Sequence, residues 1–460
     1  MFNSGGFERT KKIASAILDT FVYHIAIYLS FWFRYNGNIP IFNYSSYESS
    51  IIYIMIFYIL INILVGMYIF YNKSFFDLAF LTILVQFLMT IAIMALTFFG
   101  RWFTFPRSVI GISFLISTLL LLFWRFILFR MYEKVDGSKR VMVVGSELAC
   151  KKALFNFHNA KNNRHKITMI ITDNFYENIK KYHHQVDIVY LAEDLKAKSK
   201  IYNLMIYNDK KLFLQTSFDN LIMVNPNIMN IEDESVIEIS NFRISPEDDI
   251  IKRLIDFIFS LILIILTMPL MIIAAILVKI TSEGPVLYKQ VRITKNQKEF
   301  NILKFRTMKV TAEQDSGPVL ATSNDTRVTL VGKYFRALRI DELPQLFNVL
   351  KGDMSIVGPR PERPFFVNQF KESNSSYYLR HNVRTGITGY AQVYGKYATD
   401  FNSKLNFDLL YIKKYSLFLD VKIMIQTIKI LFDKVSSQGL EEDLDISTIE
   451  IPKTIKVIND

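Results

Sequence analysis

The run Arg336-Ala337-Leu338-Arg339-Ile340-Asp341-Glu342-Leu343-Pro344 sets two carboxylates directly behind two arginines. Val357-Gly358-Pro359-Arg360-Pro361 follows, with a guanidinium held between two prolines that fix the flanking backbone. A carboxylate near cations can attack phosphorus as a nucleophile, and a planar guanidinium fork suits bidentate contact with phosphate or uracil. The chemistry indicated is on a phosphate ester. The bland reading of Asp341 is a helix cap, which does not explain the density of arginine around it; for Arg360 a stiff surface turn is an equal alternative.

Leu343, Leu346, Phe347 and Leu350 repeat at helical spacing, with Gly352 placed to end the helix. This predicts an amphipathic helix starting at Asp341, with Pro344 in its first turn and the carboxylate held ionised by the helix N-terminus. Residues 300–308 read as a strand, with Lys304 and Arg306 on one face as a diphosphate clamp and Leu303 and Phe305 on the other. A solvent-facing strand edge carrying cations is the alternative.

These stretches together resemble the bacterial sugar transferases, the membrane-anchored polyprenyl-phosphate glycosyl-1-phosphate transferases, over residues 250–432. The landmarks are Lys252-Arg253-Leu254-Ile255-Asp256, a hydrophobic segment broken at Pro269, Gly284-Pro285-Val286 and Lys304-Phe305-Arg306-Thr307-Met308. The Asp341-Glu342 run, 354–361, 384–389 and 391–395 complete the set. Gln290-Val291-Arg292 departs locally, with Thr294 and Gln297 where the family has glycines. The resemblance implies transfer of a sugar-1-phosphate from a nucleotide (UDP) sugar to polyprenyl phosphate, with Mg²⁺ as cofactor and a covalent intermediate on Asp341 assisted by Glu342. It also implies substrate-binding roles for Lys304, Arg306, Arg339, Pro359, Arg360, Pro361, Arg384 and Gln392, and metal contacts from Asp341 and Asp408. Four preceding apolar segments resemble the long-form members that initiate capsular or exopolysaccharide units. The competing readings are a glycosyltransferase that moves the sugar alone and a non-enzymatic regulator of polysaccharide assembly.

The positioning elements are largely membrane-bound. Apolar residues are 51% of the 460, too many for an ordinary soluble chain, and they cluster at 13–33, 51–71, 75–99 and 109–129. Lys and Arg flank the outer ends of this set, while the first loop, 36–50, has none, which predicts both ends in the cytoplasm. A fifth apolar segment, 254–278, would export the catalytic region if it crossed. It is therefore read as a re-entrant helix bent at Pro269, with Thr267 satisfying the carbonyl that the proline frees.

The expected architecture is a membrane α-helical bundle plus α/β. A four-helix transmembrane domain (1–134) is followed by a small Rossmann-like, CoA-binding-like domain (139–243). A catalytic α/β domain with the re-entrant helix (250–432) and a loosely held polar tail (433–460) complete it. In the middle domain, strands are expected after Arg140, at 166–172 and at 186–191. Only Gly145 stands where a dinucleotide fingerprint needs three glycines, so a spacer or a homodimer contact is the expectation. The net charge of +12 is assigned to inner-membrane lipid headgroups and a diphosphate substrate rather than nucleic acid, for which no reading motif is present. The lone Cys150 excludes an intrachain disulfide and agrees with a reducing side. The histidines lack metal spacing; His183-His184 is read as surface and His381 as non-catalytic. Asp420 is expected to cap a last amphipathic stretch, 421–431, on the membrane surface.

Overall fold

The computed structural model describes residues 4–69, 73–159, 164–195, 198–239, 241–308, 327–395, 401–431 and 448–459. It divides into two compact units, Met1–Gln215 with Asp445–Asp460, and Thr216–Leu444. The second unit is thus an insertion between two parts of the first.

In the first unit, α1 (Ser4–Arg34), α2 (Ile41–Val65), α3 (Phe75–Phe99) and α4 (Arg107–Asp136) are each long and apolar enough to cross a bilayer. α2 differs from the expected 51–71. Pro40 precedes its first turn and Gly66, left-handed at φ 70°, ends it, so residues 41–50 of the expected loop are helical. All four helices meet at Arg125. Its guanidinium donates to Asp19 Oδ2 at 2.7 Å, Asn62 Oδ1 at 2.9 Å and Thr82 Oγ1 at 2.7 Å. Arg125 is 1% exposed; a charge buried in an apolar bundle persists only when so paired.

β1 (Lys139–Val144), α5 (Glu147–His158), β2 (His165–Ile171), α6 (Phe175–Tyr182), β3 (Ile188–Leu191), α7 (Lys198–Tyr207) and β4 (Lys211–Leu214) alternate in the pattern of a parallel sheet. With β11 (Lys456–Ile458) at one edge, the strand order is β11-β2-β1-β3-β4, all parallel, and apolar β1 is buried at its centre. At the start of α5, the Glu193 carboxylate takes the Ser146 amide at 2.9 Å and hydroxyl at 2.8 Å. A nucleotide-binding sheet would offer those donors to phosphate.

β11 (Lys456–Ile458) corrects the expectation of a loose tail. It pairs in register with Met169, Ile170 and Ile171, and Ile451, Ile455 and Ile458 pack on the sheet's two cores. Residues 432–447 lie outside the described residues.

The second unit begins with α8 (Phe218–Ile222) and the hairpin β5 (Asn227–Ile231) and β6 (Glu234–Glu238), so residues 216–243, expected in the middle domain, belong to the second unit. α9 (Pro246–Thr281) follows, then the antiparallel pair β7 (Leu287–Ile293) and β8 (Glu299–Phe305), α10 (Leu330–Ala337) and α11 (Gln345–Lys351). β9 (Ser355–Val357), α12 (Pro364–Ser373), β10 (Gly386–Thr388), α13 (Tyr390–Tyr394), α14 (Phe401–Lys413) and α15 (Leu417–Leu431) complete it.

α9 is one helix of 36 residues with Pro269 inside, so the chain stays helical where a break was expected. Thr267 Oγ1 bonds Leu263 O at 2.7 Å rather than the Ile265 carbonyl that the proline leaves free. Lys252, Asp256, Ser260 and Ile264, and beyond the proline Met271, Ala274 and Val278, are buried at helical spacing. Both halves therefore face protein along one stripe, while Ile265, Leu266 and Leu270 between them are exposed.

Candidate active site

The chain reaches the carboxylates through a sharp turn. Arg339 adopts a left-handed conformation (φ 55°), and Ile340–Glu342 form a short 3-10 turn. α11 starts only after Pro344, so Asp341 sits in a separate turn and not on the first turn of the amphipathic helix. Proline has no amide to donate and fits best at such a beginning. Leu346 is buried and Leu343 and Leu350 pack beside it against α9 and Phe305, whereas Phe347 faces out. Gly352 closes α11 at φ 99°.

The two carboxylates have different surroundings. Glu342 Oε1 accepts from Lys304 Nζ at 3.1 Å and stands 3.8 Å from both Arg339 Nη1 and Arg360 Nη2. Although burial opposes it, these cations hold Glu342 below the ordinary glutamate range. Asp341 is 8% exposed, and its Oδ1 is buried without a hydrogen-bond partner. Burial, then the neighbouring Glu342 charge, pushes Asp341 up, against the pull of Lys304, Arg336 and Arg339. Desolvation thus opposes the ionisation expected of a carboxylate at a helix N-terminus. An acidity pushed toward neutrality beside a strongly ionised partner is a common mark of catalytic carboxylates.

Lys304 and Arg306 do not form one clamp. β8 ends at Phe305, and Arg306 Nη2 turns to the Ser282 carbonyl and hydroxyl at 2.8 and 2.9 Å, just past α9. Arg306 is buried, with Nε and Nη1 unpartnered. Arg336, less prominent in the sequence, donates through Nε to Thr307 Oγ1 at 2.9 Å.

The Arg360 loop is clamped from several sides. β9 and β10 run parallel, and a Cβ on Gly386 would fall 2.1 Å from the Gly358 nitrogen, so only glycine allows that approach. Pro359 O accepts from Gly386 N at 2.9 Å and Pro361 O from Arg292 Nη1 at 3.1 Å. Arg380, not singled out from sequence, donates to Arg360 O at 2.9 Å. Burial, and to a smaller extent Arg360 and Arg363 nearby, lowers Arg292 to about 10 against the pull of Glu362.

Three expected site residues are engaged elsewhere. Arg384 makes a two-pronged pair with Asp249 near the start of α9, at 2.7 and 3.0 Å. Gln392 donates to Ile387 O at 3.1 Å and keeps a buried, unpartnered Oε1. Asp408 is 2% exposed, and its Oδ2 takes both Arg380 Nη2 at 2.8 Å and Nε at 2.9 Å, so that oxygen serves an ion pair. Among the described residues, no group of three His, Cys, Asp or Glu could hold a metal. The free Asp341 oxygen does fit Mg²⁺, which commonly takes one or two carboxylates and completes its shell with water and substrate phosphate. Asp420 is no helix cap: it lies inside α15, where it pairs with buried Lys252 and accepts from Tyr411 Oη at 2.7 Å. His381 is buried, with both ring nitrogens unpartnered.

A buried carboxylate with an unpartnered oxygen stands beside a carboxylate anchored by cations and an arginine on a clamped loop, an arrangement suited to chemistry on phosphate esters. Residues 247–434 match the model of the bacterial sugar transferase family. A UDP-N-acetylgalactosamine-undecaprenyl-phosphate N-acetylgalactosaminephosphotransferase of Aeromonas hydrophila is 50% identical over 40% of this chain and 44% of its own length. A UDP-glucose:undecaprenyl-phosphate glucose-1-phosphate transferase of Klebsiella pneumoniae is 37% identical over 53% of this chain and 54% of its own. EpsL, an uncharacterized sugar transferase of Bacillus subtilis strain 168, is 38% identical over 42% of this chain and 91% of its own. The chain belongs to the bacterial sugar transferase family. Its match spans about half the length of the first two relatives.

Proposed function

We propose that this protein transfers a sugar-1-phosphate from a UDP-sugar to a polyprenyl phosphate, undecaprenyl phosphate in the relatives' names, and releases UMP. The observation that carries this reading is the division between the carboxylates: Glu342 gathers three cations, while Asp341 keeps a buried free oxygen.

In the proposed chemistry, an Asp341 oxygen attacks the sugar-proximal phosphorus. The bond from that phosphorus to the bridging oxygen breaks, and UMP leaves with the electron pair. An oxygen of the lipid phosphate then attacks the same phosphorus, which forms the diphosphate link and returns the Asp341 carboxylate. Arg360 and Lys304, fixed around Glu342, face the negative charge that builds on the phosphates. Asp341 would hold Mg²⁺, which when bound would supply charge neutralisation at the phosphates.

The membrane reading follows from charge and burial. Both halves of α9 turn one stripe toward protein, which supports re-entry into a single leaflet and a catalytic unit at the cytoplasmic headgroups, where a lipid phosphate lies. The role proposed is initiation of a capsular or exopolysaccharide unit. The parallel sheet, its phosphate-type position filled by Glu193, is read as a Rossmann-like spacer.

Incubation with a UDP-sugar panel, without lipid acceptor, tests the central step. One phospho-sugar mass is expected on the peptide bearing Asp341. With acceptor present, UMP is expected as the leaving product. UDP would mean transfer of the sugar alone, and polymer initiation unaffected by Asp341→Asn would mean a regulator.

A further inference from the structure

We infer that Arg253 and Asp256, at the root of α9, are positioning residues that hold the two sides of the active site in register: Arg253 the carboxylate side, Asp256 the arginine side. This rests on the reading of Asp341, Glu342 and Arg360 as the catalytic centre.

A helix as short as α11, with seven residues, leaves most of its carbonyls without partners inside it. Arg253 supplies two from another element, donating through Nη1 to Val349 O at 2.6 Å and through Nη2 to Leu350 O at 2.8 Å. A cation there also complements the negative end of the helix dipole. The contact is close: a Cβ on Gly352 would lie 3.2 Å from Arg253 Nη2. The other end of α11 adjoins the turn that carries Asp341 and Glu342, so the hold on its last carbonyls sets the axis of the whole piece.

One helical turn along α9, Asp256 is 3% exposed and its Oδ1 accepts from Ile356 N at 3.1 Å. Ile356 is the centre of β9, which leads through Gly358 and Pro359 into Arg360. Lys252, on the same face as Asp256, is buried against Asp420 of α15 and fixes the rotation of that face. A single helix therefore sets the separation of Arg360 from Glu342, 3.8 Å between Nη2 and Oε1. A misplacement of about 1 Å in such a centre lowers turnover by about 10²-fold.

The test uses the purified full chain in nanodiscs, UDP-N-acetylgalactosamine or UDP-glucose as donor and undecaprenyl phosphate as acceptor. Steady-state UMP release is normalised to folded protein. Arg253→Ala is expected to lower kcat by about 10- to 100-fold with little change in donor KM. Asp256→Ala is expected mainly to raise donor KM. Asp256→Asn, which keeps an oxygen acceptor for Ile356 N, should return most of the loss. Hydrogen exchange supplies a readout independent of turnover: Arg253→Ala should speed exchange across 345–351, and Asp256→Ala across 355–360, while α14 stays protected. If wild-type protein used neither donor, the exchange pattern would still decide the positioning roles, and only the proposed reaction would be in question. Wild-type exchange in both segments overturns the inference. So does a fall in melting temperature with kcat per folded molecule and KM unchanged.

Discussion

Lys304 Nζ donates to Glu342 Oε1 across 3.1 Å, and that contact decides which of two adjacent carboxylates stays free. The lysine, with Arg339 and Arg360 further out, anchors Glu342. Asp341, one residue earlier, keeps an unpartnered oxygen in a desolvated place. Adjacent acids thus acquire separate roles from their surroundings.

Asp341→Asn keeps the shape of the side chain and removes the anionic nucleophile. UMP release should fall by about 10³-fold or more, and the phospho-sugar adduct should vanish. Glu342→Gln should also be severely impaired, because it leaves Lys304 without its anion. An adduct on another residue, or strictly sequential kinetics without one, would sink the mechanism.

The pH profile follows from the sign of the Asp341 shift. The nucleophile must be ionised, so activity rises with pH as Asp341 loses its proton. Because burial and Glu342 raise that pKa, the acid limb of kcat/KM should lie above the ordinary aspartate value of about 3.9. Removing the Glu342 charge removes one of the raising causes, so in Glu342→Gln the residual activity should show its acid limb at lower pH. A limb that moves upward in that variant contradicts the assignment.

Arg360→Ala should greatly reduce turnover while the protein stays folded and membrane-inserted, and Arg360→Lys should restore little of it. A lysine gives a point charge where the proline-framed loop presents a planar fork. Full activity in Arg360→Lys would reduce the role to charge alone.

Asp408→Ala tests a structural pair against a metal ligand. The variant leaves the buried Arg380 guanidinium uncompensated, which costs about 3–5 kcal/mol, and loosens the hold on the Arg360 carbonyl. Denaturant melts should register the loss, while the Mg²⁺ concentration for half-maximal activity should stay at the wild-type value. A large rise in that concentration, with stability intact, would restore the metal assignment.

Cysteines placed at exposed Glu147 and Lys351 should resist membrane-impermeant reagents in intact cells and react after permeabilisation. The native Cys150 provides a quiet background, because burial pushes its thiol up to about 12. Reaction at position 351 alone would mean that α9 crosses the bilayer.

The parts of this site that lie close together in sequence were readable there: the paired carboxylates, the arginines before them, the proline-framed Arg360 and the glycine ending α11. Side-chain partners far along the chain were not. Arg384 looked available until Asp249, 135 residues earlier, was found to occupy it. Asp408 resembled a metal ligand because its partner Arg380, 28 residues away, has no local signal. Arg306 lies one residue beyond the end of β8, and Ser282 decides where its guanidinium points. Helix ends show a similar limit: hydropathy located α2, but Pro40 and Gly66 set its bounds. β11 was missed because three residues of strand carry little pattern, and their meaning comes from β2.

The pairing of β11 with β2 also sets an order of events during synthesis. Thr172 bonds Ile458 across 286 residues of chain, so the outer edge of β2 stays bare while the whole inserted unit is made. At about 5–20 residues per second, that interval lasts about 15–60 seconds. An unpaired strand edge is a template for mispairing, and here it waits beside a nascent chain rich in apolar helices. Closure of the sheet thus becomes a late checkpoint: a molecule that has completed it has already made its catalytic unit.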